Sequence, residues 1–192
     1  MIENYHFAIR DLTQFYDGNK ALDIPDLVIK KGLIYGVIGP NGSGKTTLLS
    51  ILSLLARPSS GRVYFDGLEI NGQRNDEYAL RRQMAMVLQN PFLFNMTVEK
   101  NVAYGLKIRG WSKKEQKDKV RECLDLVGLT GFEKRKAHEL SGGEAQRVAI
   151  ARGIAVNPKV LFLDEPTVNI HETHIEIFEV LRGRRFGGHL DP

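Results

Sequence analysis

Cysteine is nearly absent from this chain. Cys123 is the single one in 192 residues, so no internal disulfide can form, and the composition suits a reducing compartment. Long apolar runs are absent as well. The longest candidate, Leu48 to Ala56, is short and interrupted by Ser50 and Ser53, well below the roughly 20 residues that a membrane-spanning helix needs. The opening residues Met1-Ile2-Glu3-Asn4-Tyr5-His6 do not read as a secretory leader. Neither sign of charge dominates: a net charge of +4, with basic residues spread along the chain, reads as a solvated surface rather than a nucleic-acid footprint. There is no internal repeat and no long coiled coil. What remains is an ordinary soluble composition, 42% hydrophobic and 26% charged, long enough for one domain with a real core.

Against these absences one segment stands out. Gly39-Pro40-Asn41-Gly42-Ser43-Gly44-Lys45-Thr46-Thr47 fits the pattern of a glycine, four residues, then Gly-Lys-Ser/Thr. The run before it, Leu33 to Ile38, is apolar and partly β-branched, which predicts a buried strand. The run after it, Leu48 to Leu55, has the composition of a helix. Backbone N–H groups can surround a polyphosphate only where side chains do not obstruct, which is the use of Gly39, Gly42 and Gly44. A helix starting near Gly44 aims its amides and positive dipole end at the anion. Lys45 adds a point charge for the β- and γ-phosphates, and the Thr46 hydroxyl is placed to ligate Mg²⁺.

A second glycine motif, Leu140-Ser141-Gly142-Gly143-Glu144, opens another expected helix, with Ser141 and Glu144 at capping-box spacing. Two glycines in a first turn leave amides bare, so a well-capped helix and a second phosphate site are both open readings. Val160-Leu161-Phe162-Leu163-Asp164-Glu165 follows. Four apolar residues predict a buried parallel strand, and its C-terminal end, where ligand sites of open α/β sheets lie, carries two acids. Asp164 would hold Mg²⁺, directly or through water, and Glu165 would act as general base on an attacking water.

These three elements, in this order and in one domain, resemble the ATP-binding cassette (ABC) family. The likeness covers roughly residues 5 to 182, and the wording of several segments is similar to the ATPase subunits of oxyanion importers of the tungstate, molybdate or phosphate kind. The resemblance implies an α/β fold of the phosphate-loop class: a doubly wound, mainly parallel sheet with an antiparallel β edge and a helical subdomain at about 90–140. It implies ATP and Mg²⁺ as ligands, with ATP hydrolysed to drive solute uptake. It also implies a head-to-tail pair of cassettes in which Ser141, Gly142, Gly143 and Glu144 meet the partner's nucleotide. Tyr16 falls where family members stack an aromatic on adenine, a core or surface tyrosine being the rival reading. Gln89, after the apolar run Met84 to Leu88, matches the family's glutamine loop, whose amide senses Mg²⁺ and the attacking water. Membrane-spanning permease subunits would dock on the helical insert, near Phe92 and Phe94, and a solute-binding protein would act indirectly; nucleic acid would not be a partner. The expected location is the cytoplasmic face of the membrane.

Two departures from the pattern stand out. After Glu165-Pro166-Thr167 the turn reads Val168-Asn169-Ile170-His171, with imidazole where the family usually has aspartate. Beyond a helix reaching Leu181, the chain offers no apolar strand followed by a switch histidine; His189 follows two glycines instead. The expectation is a single cassette domain over residues 1–192 whose C-terminal strand and switch region are missing. The alternative functions are a truncated nucleotide-binding fragment with impaired hydrolysis and a soluble cassette acting on DNA or ribosomes.

Overall fold

The computed structural model describes residues 4–70 and 74–165. The chain divides into two compact units, Met1–Arg82 and Gln83–Pro192.

In the first unit, β1 (Tyr5–Tyr16) pairs antiparallel with β2 (Asn19–Lys30). Asp17 and Gly18 join them with φ of 48° and 80°, the pair of positive values that a tight primed hairpin turn requires. β3 (Ser60–Phe65) takes the other edge of β1, and β4 (Leu68–Glu69) pairs with β3, giving the order β2-β1-β3-β4. This is the expected antiparallel β edge. Phe7, Ile9, Leu12, Val63 and Phe65 are buried on it. Pro25, which cannot donate, lies in the edge strand β2, where a missing donor is tolerated. α1 (Lys45–Leu52) buries Leu48, Ile51 and Leu52. It starts before the apolar run does and stops at Ser53, because Leu54 turns left-handed at φ 62°. α2 (Arg74–Arg81) carries a buried Glu77 held by Arg57 at 3.2 Å and Arg81 at 3.3 Å.

The strand expected over Leu33 to Ile38 does not form. These residues belong to neither sheet and are exposed, Ile38 at 98%. A strand exists through its ladder, and composition alone supplies no partner. Both edges of β1 are already taken, by β2 and β3. The Lys30 amide instead donates to the Tyr35 hydroxyl at 2.9 Å, closing a local turn through Gly32 at φ 71°.

In the second unit, β5 (Met84–Val87) and β6 (Val160–Leu163) pair in parallel, Met84 opposite Val160 and Val87 opposite Leu163. Between them run α3 (Val98–Ile108), α4 (Lys113–Leu126) and α5 (Gly142–Ala155). Each starts where a local signal says it should. Thr97, Ser112 and Ser141 cap them with side-chain oxygens, and Glu99, Glu115 and Glu144 stand in the first turns. Such a cap contributes about 1 kcal/mol. Gly128, at φ 66°, follows the end of α4, where a left-handed residue commonly ends a helix. Val102, Leu106, Val120, Leu124, Val148 and Ile150 form the shared core. A Cβ on Gly105 would lie 2.5 Å from Val156 Cγ1, so α3 approaches the end of α5 closely only because that side chain is absent. Arg109 Nη1 then donates to the Val156 carbonyl at 2.6 Å. Cys123 is buried in this core. Among the described residues no helix is long and apolar enough to cross a membrane.

Candidate functional site

The loop Gly39–Thr47 is assembled in the first unit. Its turn closes with the Ser43 amide on the Pro40 carbonyl at 3.2 Å, and the helical ladder of α1 begins with Leu48 N on Gly44 O at 2.8 Å. Gly44 is the N-cap, left-handed at φ 87°, with no side-chain cap bond, and the first turn of α1 holds no acid. A Cβ on Gly44 would meet Ala21 O at 2.6 Å and Leu22 Cδ2 at 2.5 Å, so only glycine lets the loop lie this close to β2. Asn41, Gly42, Ser43 and Thr46 are exposed, and Gly44, Lys45 and Thr47 half-buried. Lys45 Nζ donates to the carbonyls of Gly39 and Pro40, both at 2.9 Å, which folds the ammonium back over the loop's mouth. An ammonium has three donors, so one remains for an anion. An uncapped helix start with no acid, an ammonium above it and a backbone kept bare by glycine fit a polyphosphate.

The carboxylates are placed by the second unit. Asp164 directly follows β6, and its amide donates to Val87 O at 2.9 Å, extending the parallel ladder by one rung. Asp164 is buried, at 6% exposure. Glu165 comes next, with φ 45°. A left-handed backbone at a non-glycine residue is strained and ends the strand abruptly. Its Oε2 accepts a hydrogen bond from Gln89 Nε2 at 2.7 Å. Gln89 and Glu165, chosen separately from the sequence, are therefore in direct contact across the ends of β5 and β6. Among the described residues no cluster of three His, Cys, Asp or Glu could hold a metal by itself.

The Ser141 motif is a closed local system. Ser141 N donates to Glu144 Oε2 at 2.7 Å, and Ser141 Oγ accepts from Glu144 N at 3.3 Å. The Ser141 backbone and side-chain bonds, in that order, hold the Glu144 carboxyl below its usual range, with smaller help from Arg135 and Arg147. Arg135 lies 3.6 Å from Glu144 Oε1 while its guanidinium covers the Phe132 ring at 3.7 Å. Ser141 and Gly142 are exposed and Gly143 half-buried.

Tyr16 stands at the end of β1 and is 48% exposed, so its ring face is accessible. Phe92 is 71% exposed and meets Phe94 edge-on at 5.8 Å; Phe94 packs on Tyr104 at 4.6 Å. The Arg152 guanidinium lies 5.8 Å from the Phe94 ring, and burial pushes its pKa down. Asn101, fully buried, makes four hydrogen bonds to the loop at residues 94–97 and was given no role by the sequence. Its signal is present nonetheless: an amide sits on the apolar stripe Val98, Asn101, Val102, Leu106, where only a satisfied polar group survives burial. The turn Val168 to His171, the helix expected up to Leu181, and His189 lie outside the described residues.

Comparison with known proteins agrees with this arrangement. The profile of the family described as ABC transporter matches residues 22–168, well over half of the chain. The tungstate uptake system ATP-binding protein TupC of Peptoclostridium acidaminophilum is 40% identical over 172 residues, 90% of this chain and 77% of that protein. The Fe(3+) ions import ATP-binding protein FbpC 1 of Haemophilus influenzae is 38% identical over 88% of this chain, which spans only about half of it, 51%. An ATP-binding cassette solved as a dimer in a post-hydrolysis state with ADP and Pi superposes with a TM-score of 0.85 at 33% identity, covering 91% of this chain and 81% of that one. The chain belongs to the ABC transporter family and is an α/β ATP-binding cassette of the ATPase class.

Proposed function

We propose that this chain is the ATP-hydrolysing subunit of an importer, a single cassette domain with a helical subdomain at about 90–140. The observation that carries the reading is the start of α1. Of α1, α3, α4 and α5, it alone lacks both a side-chain cap and a first-turn acid, and the ammonium of its first residue, Lys45, is held by the carbonyls of Gly39 and Pro40 in the glycine loop before it. Backbone amides of 41–47 and the Lys45 ammonium would hold the phosphates, with the adenine against Tyr16. Mg²⁺, which neutralises phosphate charge when bound, would be held by Thr46 and Asp164, with Gln89 close to it; one or two protein ligands suffice when phosphates supply the rest. Glu165 would accept the proton of the attacking water, and Gln89 would orient it. Ser141, Gly142, Gly143 and Glu144 would face the nucleotide of a second copy.

The partners follow from the same reading: a second cassette, and permease subunits docked near Phe92 and Phe94 at the cytoplasmic face of the membrane, with a solute-binding protein further removed. Tungstate is an anion and ferric ion a cation, yet the relatives named for them match this chain almost equally, at 40% and 38% identity. Cargo selection therefore belongs to the other subunits. Titration calorimetry with MgATP tests the proposal. Lys45→Ala should weaken binding by roughly 10–100-fold, as loss of a charge-assisted contact does. A well-folded chain that takes up no MgATP, or binds it equally with Lys45→Ala, would overturn it.

A further inference from the structure

We propose that Asn101 is a positioning residue: it pins the loop between β5 and α3 so that the Gln89 amide is delivered to the Glu165 carboxylate. The proposal deepens the site described above and takes the base assignment of Glu165 from it.

The geometry is continuous. Asn101 is 0% exposed, in the first turns of α3. Its Oδ1 accepts from Phe94 N at 2.9 Å. Its Nδ2 faces three carbonyls, Phe94 O at 3.0 Å, Thr97 O at 3.1 Å and Met96 O at 3.4 Å. One side chain thus satisfies backbone groups on both sides of a loop whose amides and carbonyls would otherwise be costly to bury. No other residue type of this size both accepts and donates in this pattern: aspartate loses the donors, and leucine loses everything. The loop is held on its other flank too, with Ala137 N on Met96 O at 3.1 Å and Val98 N on Arg135 O at 2.9 Å.

From the fixed Phe94 the chain runs back through Leu93, Phe92, Pro91 and Asn90 to Gln89. Pro91 restricts one φ in that short tether. The tether ends where Gln89 Nε2 meets Glu165 Oε2 at 2.7 Å. A glutamine on a free loop loses much side-chain entropy when it forms a single hydrogen bond. Anchoring its loop five residues away removes part of that cost beforehand. Any movement of Phe92 or Phe94 would be passed along the same tether to the carboxylate.

The test reads the Gln89 side-chain amide by ¹⁵N–¹H spectroscopy of the nucleotide-free full chain, its pair of signals identified by their loss in Gln89→Leu. In the parent chain the two amide protons should be well separated, and Glu165→Ala should bring them together. Asn101→Ala should have the same effect as Glu165→Ala. Thr97→Ala, which removes the α3 cap but none of the Asn101 bonds, should leave the signals in place, separating positioning from simple weakening of the helix. Should Asn101→Ala fail to fold, Pro91→Gly loosens the tether without touching the core and should also collapse the separation. Gln89 signals unmoved by Asn101→Ala, or by Pro91→Gly where that is the variant read, would overturn the proposal. Because no nucleotide is present, the result is independent of whether Lys45 and Glu165 serve ATP.

Discussion

The starts of α1 and α5 are the same position in two helices, filled in opposite ways. At α1 the N-cap is Gly44 and the third helical residue is Thr47; at α5 they are Ser141 and Glu144. The second pair is a complete capping box that satisfies its own amides. The first pair leaves them to something else. A helix start with glycine in place of a capping side chain forgoes roughly a few tenths of a kcal/mol. Keeping it so makes sense where an external anion supplies the missing acceptors, as a polyphosphate on the Gly39–Thr47 loop would. At α5 the cap is internal, and what is left over for a ligand is two glycine amides. The contrast separates a site built to be completed by its ligand from one already complete.

The sharpest way to break this contrast is to write the α5 pattern into α1. Thr47→Glu places a carboxylate at the position that Glu144 holds in α5. Two unit charges about 4 Å apart interact by roughly 4 kcal/mol at an effective dielectric near 20, reduced further by salt. Affinity for MgATP should fall by roughly 10–100-fold by calorimetry. The melting temperature should hold or rise, because an acid in the first turn favours the helix by about 0.3–1 kcal/mol. Affinity unchanged by the carboxylate would mean that the phosphates do not sit at this helix start.

Gly44→Ala attacks the same end through the backbone. At φ 87° a side chain is strained whatever the space, and here the space is filled by Ala21 O and Leu22. The left-handed conformation alone costs roughly 1–2 kcal/mol for a non-glycine residue. Chemical denaturation should show a loss of at least that size. Ser141→Ala, by comparison, removes a cap and should cost about 1 kcal/mol, with Ser141→Asn restoring most of it. If Asn restores stability but not ATP turnover in the presence of a second copy, the serine side chain has a use beyond capping.

These helix starts were legible in the sequence because each is a local pattern. Ser141 with Glu144, and Gly44 before Lys45, are decided within four residues, and the structure builds both. The apolar runs ending at Val87 and Leu163 each read as a strand, and the structure pairs them in parallel. The run from Leu33 to Ile38 looked equally strand-like and is not one, since a ladder depends on a partner that composition does not name. Asn101 was illegible for a related reason. Its four partners are backbone groups, which carry no sequence signature, and only its place on an apolar stripe betrays it. The Gln89–Glu165 contact joins residues 76 positions apart, so each could be suspected alone but their bond could not.

The smallest expected effect concerns the charge within the α5 box. The Glu144 carboxyl is held low chiefly by the Ser141 backbone bond, then by the Ser141 hydroxyl, with burial opposing. A folded-state value below the unfolded one means that the native protein binds this proton less readily. Its contribution is therefore complete above the ordinary glutamate range and disappears as the pH falls through the lower folded value. Glu144 is partly solvated, so screening limits the effect to on the order of a few tenths of a kcal/mol. Glu144→Gln keeps the hydrogen-bonding shape of the box and removes only the charge. Unfolding free energies of the two proteins should differ by that constant small amount from neutral pH down to mild acid, then converge at lower pH. Curves that diverge with acidification would reverse the sign and show that Glu144 is stabilised in its protonated form. Repeating the pair in the Ser141→Ala background should remove only the smaller part of the difference, because the backbone N–H at position 141, the larger cause, is kept and only the hydroxyl is lost, whereas α1, with no acid at the corresponding position, should contribute nothing to the pH dependence at all.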